Sequence, residues 1–467
     1  MSAVRIEKDL LGTRELPVDA YYGVQTLRAH ENFQVTKIPL SHYPKFVQSM
    51  AMVKKAAARA NMRTGELARH VGVHIERACD DIIAGQLHEH FIVDMIQGGA
   101  GTSTNMNANE VIANRALELM GHAKGDYRHV HPNNHVNMSQ STNDAYPAMI
   151  KVAISLSYGD LIHSMEQLIT ALREKGSAFG AVLKMGRTQL QDAVPMTLGQ
   201  EFNAFANTLN EDIQRLVEVS ALFRELNLGG TAIGTGLNAS AGYAEAVIGE
   251  LSAIAGIDFV SADDLIESTS DTGAFVIFSG VLKRLAVKLS KMCNDLRLLS
   301  SGPRTGLGEI NLPPMQPGSS IMPGKVNPVI PELVNQVAFQ VIGNDLTVTL
   351  AAEGGQLQLN VFEPVIIFKI LQSMEMLAAA MDTLRERCIV GITANEDRCR
   401  ELVEHSIGLI TALVPRLGYE DSTRIAKQAL LQGCGVRELV LAEGLLTEEE
   451  LARLLDPMRM TQAPPAS

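Results

Sequence analysis

The chain has 467 residues, 46% of them hydrophobic and 20% charged, and 40 Lys plus Arg against 52 Asp plus Glu leave a net charge of −12. At roughly 150 residues per domain this length predicts about three domains and a large buried core. An acidic chain with no Trp and 4% aromatic residues has neither the basic face nor the stacking platforms that nucleic-acid binding needs.

The first nine residues alternate charged and small side chains and lack the apolar core of a signal peptide. The first ~140 residues are mixed, with short helical patterns and a Gly-rich stretch, Gln97 to Ser103; residues 1–142 are expected to form an N-terminal domain. A helix is predicted to start at Thr197, where Gln200 can complete a capping box. It carries Phe202, Phe205, Leu209, Ile213 and Leu216 and is expected to end at Asn227-Leu-Gly-Gly. Leu282, Leu285, Leu289, Met292, Leu296 and Leu299 recur at spacings of 3 and 4, a heptad seam for lengthwise helix packing. Leu371, Met374, Leu377, Met381, Leu384 and Cys388 nearly repeat it. Strand signals are sparse, so residues 143–396 read as a central bundle of long helices in a mainly α fold. More seams than one bundle needs point to association between subunits. Residues 397–467 read as a small helical C-terminal domain, with a break at Gly444 and a frayed tail at Ala463–Ser467. No run approaches the ~18 apolar residues of a membrane span. Five cysteines, at 79, 293, 388, 399 and 434, form no CxxC pair, which predicts a reduced, cytoplasmic protein.

Four polar, Gly-rich segments interrupt the helical text. They are Gly98–Asn105, Gln140–Asp144, Met185–Asp192 and Pro317–Pro328. Each sets hydroxyl and amide donors beside flexible backbone, and with Arg187 and Lys325 such donors suit a carboxylate or phosphate. Phosphate binding of the P-loop kind fails on spacing. Gly318 to Lys325 is one residue too long, Val326 stands where a hydroxyl must hold Mg²⁺, and Pro323 interrupts the loop. Gly229 to Gly236 likewise misses a dinucleotide fingerprint. His129, His131 and His135 have no acidic or cysteine partner at a known ligand spacing, and His88-Glu-His90 is not HExxH, so no metal ligand is expected. No Gly-x-Ser-x-Gly elbow is present. What remains is a donor-rich site able to hold a dicarboxylate. Removing the proton next to a carboxylate makes an aci-carboxylate dianion, which several preorganised donors stabilise. Elimination from the neighbouring carbon then needs no cofactor.

Gly318-Ser-Ser-Ile-Met-Pro-Gly-Lys-Val-Asn-Pro328 resembles the GSSxMPxKxNP signature of the fumarase/aspartase superfamily. The segments Glu7–Gly23, Gln97–Asn109, His135–Pro147 and Lys184–Gln200 are similar to its aspartate ammonia-lyase branch, and Ser-Thr-Asn-Asp at 141–144 is the aspartase form where fumarases usually read Ser-Ser-Asn-Asp. The resemblance covers about residues 5–455. It implies a three-domain fold with a central long-helix bundle, and a homotetramer whose active sites are each shared by three subunits. The implied reaction is reversible anti elimination of ammonia from L-aspartate to fumarate, with hydration of fumarate as the alternative. No cofactor is implied, although some aspartases are activated by divalent cations. By the same resemblance Ser319 is the general base on a closing loop, and the Met322 backbone helps to stabilise it. Thr102, Ser141 and Thr142 hold the β-carboxylate and its aci form. Thr188, Lys325 and Asn327 hold the α-carboxylate, and Asn143 contacts the amino group. Gln189 and Ser320 stand beside them; many superfamily members carry a histidine at the position of Gln189.

Overall fold

The structure, a computed structural model, describes residues 3–461; the tail Ala463–Ser467 lies outside them. The fold is mainly α. An antiparallel hairpin, β1 (Val4–Asp9) and β2 (Gly12–Pro17), opens the chain. Helices α1 (Val24–Asn32), α2 (Pro44–Thr64), α3 (Arg69–Ile83), α4 (Thr102–Leu119) and α5 (Thr142–Ala178) follow. A second antiparallel hairpin, β3 (Leu183–Thr188) and β4 (Gln191–Thr197), precedes α6 (Leu198–Ser220). Next come α7 (Tyr243–Ala255), α8 (Leu265–Ser270), α9 (Gly273–Leu299), α10 (Val329–Glu353) and α11 (Glu363–Arg387). Then come α12 (Glu396–Glu404), α13 (Val414–Gln432), α14 (Val436–Ala442), α15 (Glu448–Leu454) and the short α16 (Pro457–Met460).

Two compact units are built from discontinuous chain. The first comprises residues 1–162, 214–284 and 340–376. Within it α2 packs on α3, α4 and α7, burying Phe46, Met50 and Val53 together with Ile75, Ile82, Val111 and Ile112. Pro44 starts α2, and Gly65 ends it with φ 85°, a left-handed conformation that costs other residues energy. The second unit comprises residues 163–213, 285–339 and 377–467. Here β3 packs on α12, and a separate apolar cluster of Leu413, Ile425, Val436, Val440 and Leu451 holds the last helices together.

Both predicted seams lie on long helices, α9 and α11, apart from Cys388, which follows the end of α11, and every seam residue is buried. The Thr197–Gln200 capping box forms reciprocally, at 3.0 and 3.1 Å. Gly444 breaks the C-terminal helices with φ 64°. Helix α6, however, ends at Ser220, before Asn227. A 3₁₀ turn over Ala221–Arg224 redirects the chain and buries Phe223 against Phe275 and Phe278. Apolar runs also understate α11, which is long and apolar enough to span a bilayer, but most of its most apolar stretch is buried inside the protein.

Candidate active site

The polar segment Met185–Asp192 lies in a β-hairpin. Its tip, Gln189-Leu190, has φ of 54° and 62°. That is the backbone of a two-residue hairpin turn usually marked by Asn-Gly, and no such marker is present. A buried charge cluster anchors the hairpin. Glu309, fully buried, accepts from Arg187 at 2.7 Å and lies 3.1 Å from the Lys184 ammonium, which also bonds Glu201 at 2.6 Å. Two cations from one strand share one buried carboxylate, so loss of either partner leaves charge poorly compensated in the interior. Thr188 and Gln189 project from its end, both exposed.

Ser319 sits on the exposed loop before α10. Its hydroxyl oxygen accepts from the backbone N–H of Ile321 at 3.2 Å and of Met322 at 2.9 Å. The loop is closed at its base, where the Gly318 N–H donates to the Lys325 carbonyl at 2.9 Å and the Asn327 amide donates to the Gly318 carbonyl at 2.8 Å. A Cβ on Gly318 would stand 2.2 Å from that Lys325 oxygen, so only glycine closes this turn. Ser320, Met322 and Lys325 are exposed, and Ser319 and Asn327 half-buried.

In the first unit, Thr102 and Thr142 are the first residues of α4 and α5. The helix dipole makes such positions favourable for an anion, although the Thr102 and Thr104 N–H groups already donate to the Gly99 carbonyl and the Gln97 side chain, and the Asn143 N–H to the Ser141 hydroxyl. The approach to α4 is tight, and a Cβ on Gly101, whose φ is 88°, would strike the Tyr146 ring at 2.4 Å. Asn105, one turn after Thr102, donates to the Thr142 hydroxyl at 3.1 Å.

The opening of α5 is set by side chains from a remote segment. Pro147 has no N–H for the Asn143 carbonyl four residues earlier; the Asn227 amide donates to it instead at 3.1 Å. Asn143 in turn donates to the Ala232 carbonyl at 2.8 Å. Asp144, fully buried, accepts from Ser141 N–H at 2.9 Å and from Gly229 and Thr231 N–H at 3.0 Å each. Burial pushes its carboxyl up to about 6, against the pull of those three donors and of Lys54.

Lys54, fully buried on α2, lies beneath this loop with its ammonium on two neutral amide oxygens, Asn137 at 2.9 Å and Gln140 at 2.8 Å. Asn137 also accepts from Asn105 and Asn109. Burial draws the Lys54 ammonium down to about 7, while Asp144 pulls the other way. A chain of bonds thus runs from a buried cation through Asn137 and Asn105 to the Thr142 hydroxyl.

The structure therefore gathers Ser141, Thr142 and Asn143 in one cluster of the first unit, to which Thr102 is linked through α4. In the second unit it places Ser319, Ser320, Met322, Lys325 and Asn327 on one loop, and Thr188 and Gln189 on one hairpin. Sequence reading missed Lys54, Asn105, Asn137, Asp144, Asn227 and Glu309 as supports. The available signals were polar residues within otherwise apolar helical runs, the pair Lys54-Lys55 between Val53 and Ala56 and the asparagines of α4.

The sequence pattern described as Lyase matches residues 12–343, and that described as Fumarase C C-terminus matches residues 409–462. The chain is 66% identical over 461 residues to aspartate ammonia-lyase of Pseudomonas aeruginosa, covering 98% of this chain and 97% of that protein. To aspartate ammonia-lyase of Escherichia coli K12 it is 55% identical over 449 residues, 96% and 94% of the two chains. Its fold is similar to the crystal structure of fumarate lyase:delta crystallin from Brucella melitensis bound to cobalt, with a TM-score of 0.96 and 60% identity over 99% of this chain and 100% of that one. A class II fumarase from Schistosoma mansoni gives a TM-score of 0.93 at 35% identity over 98% and 99%. The architecture and site thus define a lyase, and the chain belongs to the fumarase/aspartase superfamily, in its aspartate ammonia-lyase family.

Proposed function

We propose that the chain catalyses the reversible anti elimination of ammonia from L-aspartate to give fumarate. Near-full-length identity to proteins named aspartate ammonia-lyase carries this reading, and the loop geometry supports its mechanism. Ser319 acts as the base that removes the Cβ proton; its oxygen already accepts two backbone N–H groups, which favour the alkoxide over the free hydroxyl. The aci-carboxylate that forms is a dianion, held by Thr102, Ser141 and Thr142, two of which begin helices. Thr188, Lys325 and Asn327 hold the α-carboxylate, and Asn143 the amino group. No cofactor takes part in these steps. The five cysteines are free thiols, which fits a cytoplasmic setting.

Hydration of fumarate is the competing reaction, favoured by the fold shared with a fumarase. Absorbance at 240 nm separates the two. Addition of aspartate is expected to generate fumarate, and turnover of malate without aspartate would overturn the assignment.

The active form is proposed to be a homotetramer with sites shared by three subunits. Support comes from α10, where Phe339, Ile342, Leu346 and Leu350 leave an apolar stripe exposed at 63, 36, 59 and 62%. Stripes of this kind seldom stay uncovered. Light scattering on active enzyme is expected to give about four times the 50.5 kDa chain mass. Activity in a species of one chain mass would exclude shared sites.

A further inference from the structure

We propose that the loop following α4 carries a site for a divalent transition metal such as Zn²⁺ or Co²⁺, built from His122, Asp126 and His129. Each residue offers a ligand atom, and these atoms lie within 4.8 Å of one another. The two imidazole rings stack with centroids 3.7 Å apart at 3°, and His129 Nε2 is 3.8 Å from an Asp126 oxygen.

The backbone holds the three residues in place. Gly121 and Gly125 take left-handed φ of 80° and 84°. The His122 N–H donates to Leu117, the Asp126 N–H to Ala123 and the His129 N–H to Asp126, at 2.9, 3.1 and 3.2 Å. The Gly125 N–H donates to the buried Asn114 side chain at 2.7 Å. The neighbouring histidines are otherwise engaged, since the Nδ1 atoms of His131 and His135 accept backbone N–H groups.

Two adjustments accompany binding. A metal lies in the plane of each imidazole it bonds, so the stacked rings must swing apart; His129, 42% exposed, has room to do so. Asp126 must also share its carboxylate, which now takes two hydrogen bonds from Arg128 at 2.7 and 2.8 Å. Arg128 is 83% exposed, so this is a surface ion pair of small worth. Two nitrogens and one carboxylate favour Zn²⁺, Co²⁺ or Ni²⁺ over Mg²⁺ and Ca²⁺, which prefer oxygen ligands. The surface position leaves room for water to complete the coordination. No step of the proposed elimination uses these residues; the ion would pin the loop that leads into the turn Pro132–Val136.

The test uses the full-length protein, stripped with chelator and titrated with Co²⁺ by visible absorption and with Zn²⁺ by calorimetry. One ion per chain is expected, millimolar Mg²⁺ should not displace it, and Tm should rise with the metal. Removing both imidazoles (His122→Ala with His129→Ala) should weaken binding by at least ~10²-fold, more than outer supports of a metal site typically contribute. Arg128→Ala should tighten it, by up to about fivefold, because Asp126 is released from its surface partner. Undiminished binding in the double variant, displacement by Mg²⁺, weaker binding in Arg128→Ala, or no stoichiometric binding at all would each overturn the site.

Discussion

Ser319→Ala is expected to lower kcat by ~10²- to 10⁴-fold, the range for a general acid or base, while leaving substrate affinity nearly intact. A serine hydroxyl is a weak base unless its surroundings favour the alkoxide. Here the Ile321 and Met322 N–H groups already point at the oxygen, at 3.2 and 2.9 Å, and Lys325 adds positive charge to the same loop. Alanine removes the proton acceptor and touches none of the carboxylate donors, so kcat carries the loss. Lys325→Ala should behave differently. In its proposed role its charge holds a carboxylate in ground and transition states alike, so KM should rise and kcat/KM fall together. Steady-state kinetics at 240 nm on assembled enzyme distinguishes the two patterns. A Ser319→Ala enzyme with kcat within tenfold of the parent would move the base elsewhere.

Asp144→Asn is expected to lower kcat/KM by ~10- to 10²-fold at pH 8, equivalent to ~1–3 kcal/mol for one buried polar group left badly paired. The carboxylate faces donors on both sides, Ser141 N–H on one oxygen and the Gly229 and Thr231 N–H groups on the other. An asparagine satisfies one side only and turns its own N–H₂ toward a donor on the other. Ser141, Thr142 and Asn143, whose backbone Asp144 shapes, should then lose alignment. The pH profile supplies a second readout. With the carboxyl pushed up to about 6, acidification through that value protonates the native side chain and removes an acceptor. Parent kcat/KM should therefore fall below about pH 6. The asparagine variant, already short of that acceptor, should lack this limb of the profile. A variant within threefold of the parent at pH 8 would show that the three bonds are dispensable.

The parts of this site that were legible in the sequence are those whose signal is local. The Ser319 loop declares itself through Gly318, Pro323, Gly324 and Pro328 within a few residues, and the seams of α9 and α11 through regular apolar spacing. The β3–β4 hairpin gave no such signal, because Gln189-Leu190 fills a turn usually marked by glycine or asparagine. The supports beneath Thr142 were hidden for another reason. Lys54 on α2, Asn105 and Asn109 on α4, and Asn137 and Gln140 in the segment before α5 meet only in the folded chain, so no spacing rule gathers the three groups. His122 and Asp126 were passed over although 122, 126 and 129 stand at spacings of 4 and 3, because Gly121 and Gly125 mark the segment as loop and their set matches none of the familiar ligand motifs.

The way α5 begins also bears on how the chain folds. Four hydrogen bonds that shape Asn143 and Asp144 reach across 84 to 89 residues. Pro147 ensures that helix propagation alone cannot complete this turn. Contacts so far apart in sequence carry a loop-closure cost and form slowly relative to local helix. Helix α5 can therefore exist in a nascent chain well before residues 227–232 arrive, but its first turn acquires its final form only when they dock. The segment Ser141–Asp144 is accordingly among the last features of this unit to mature.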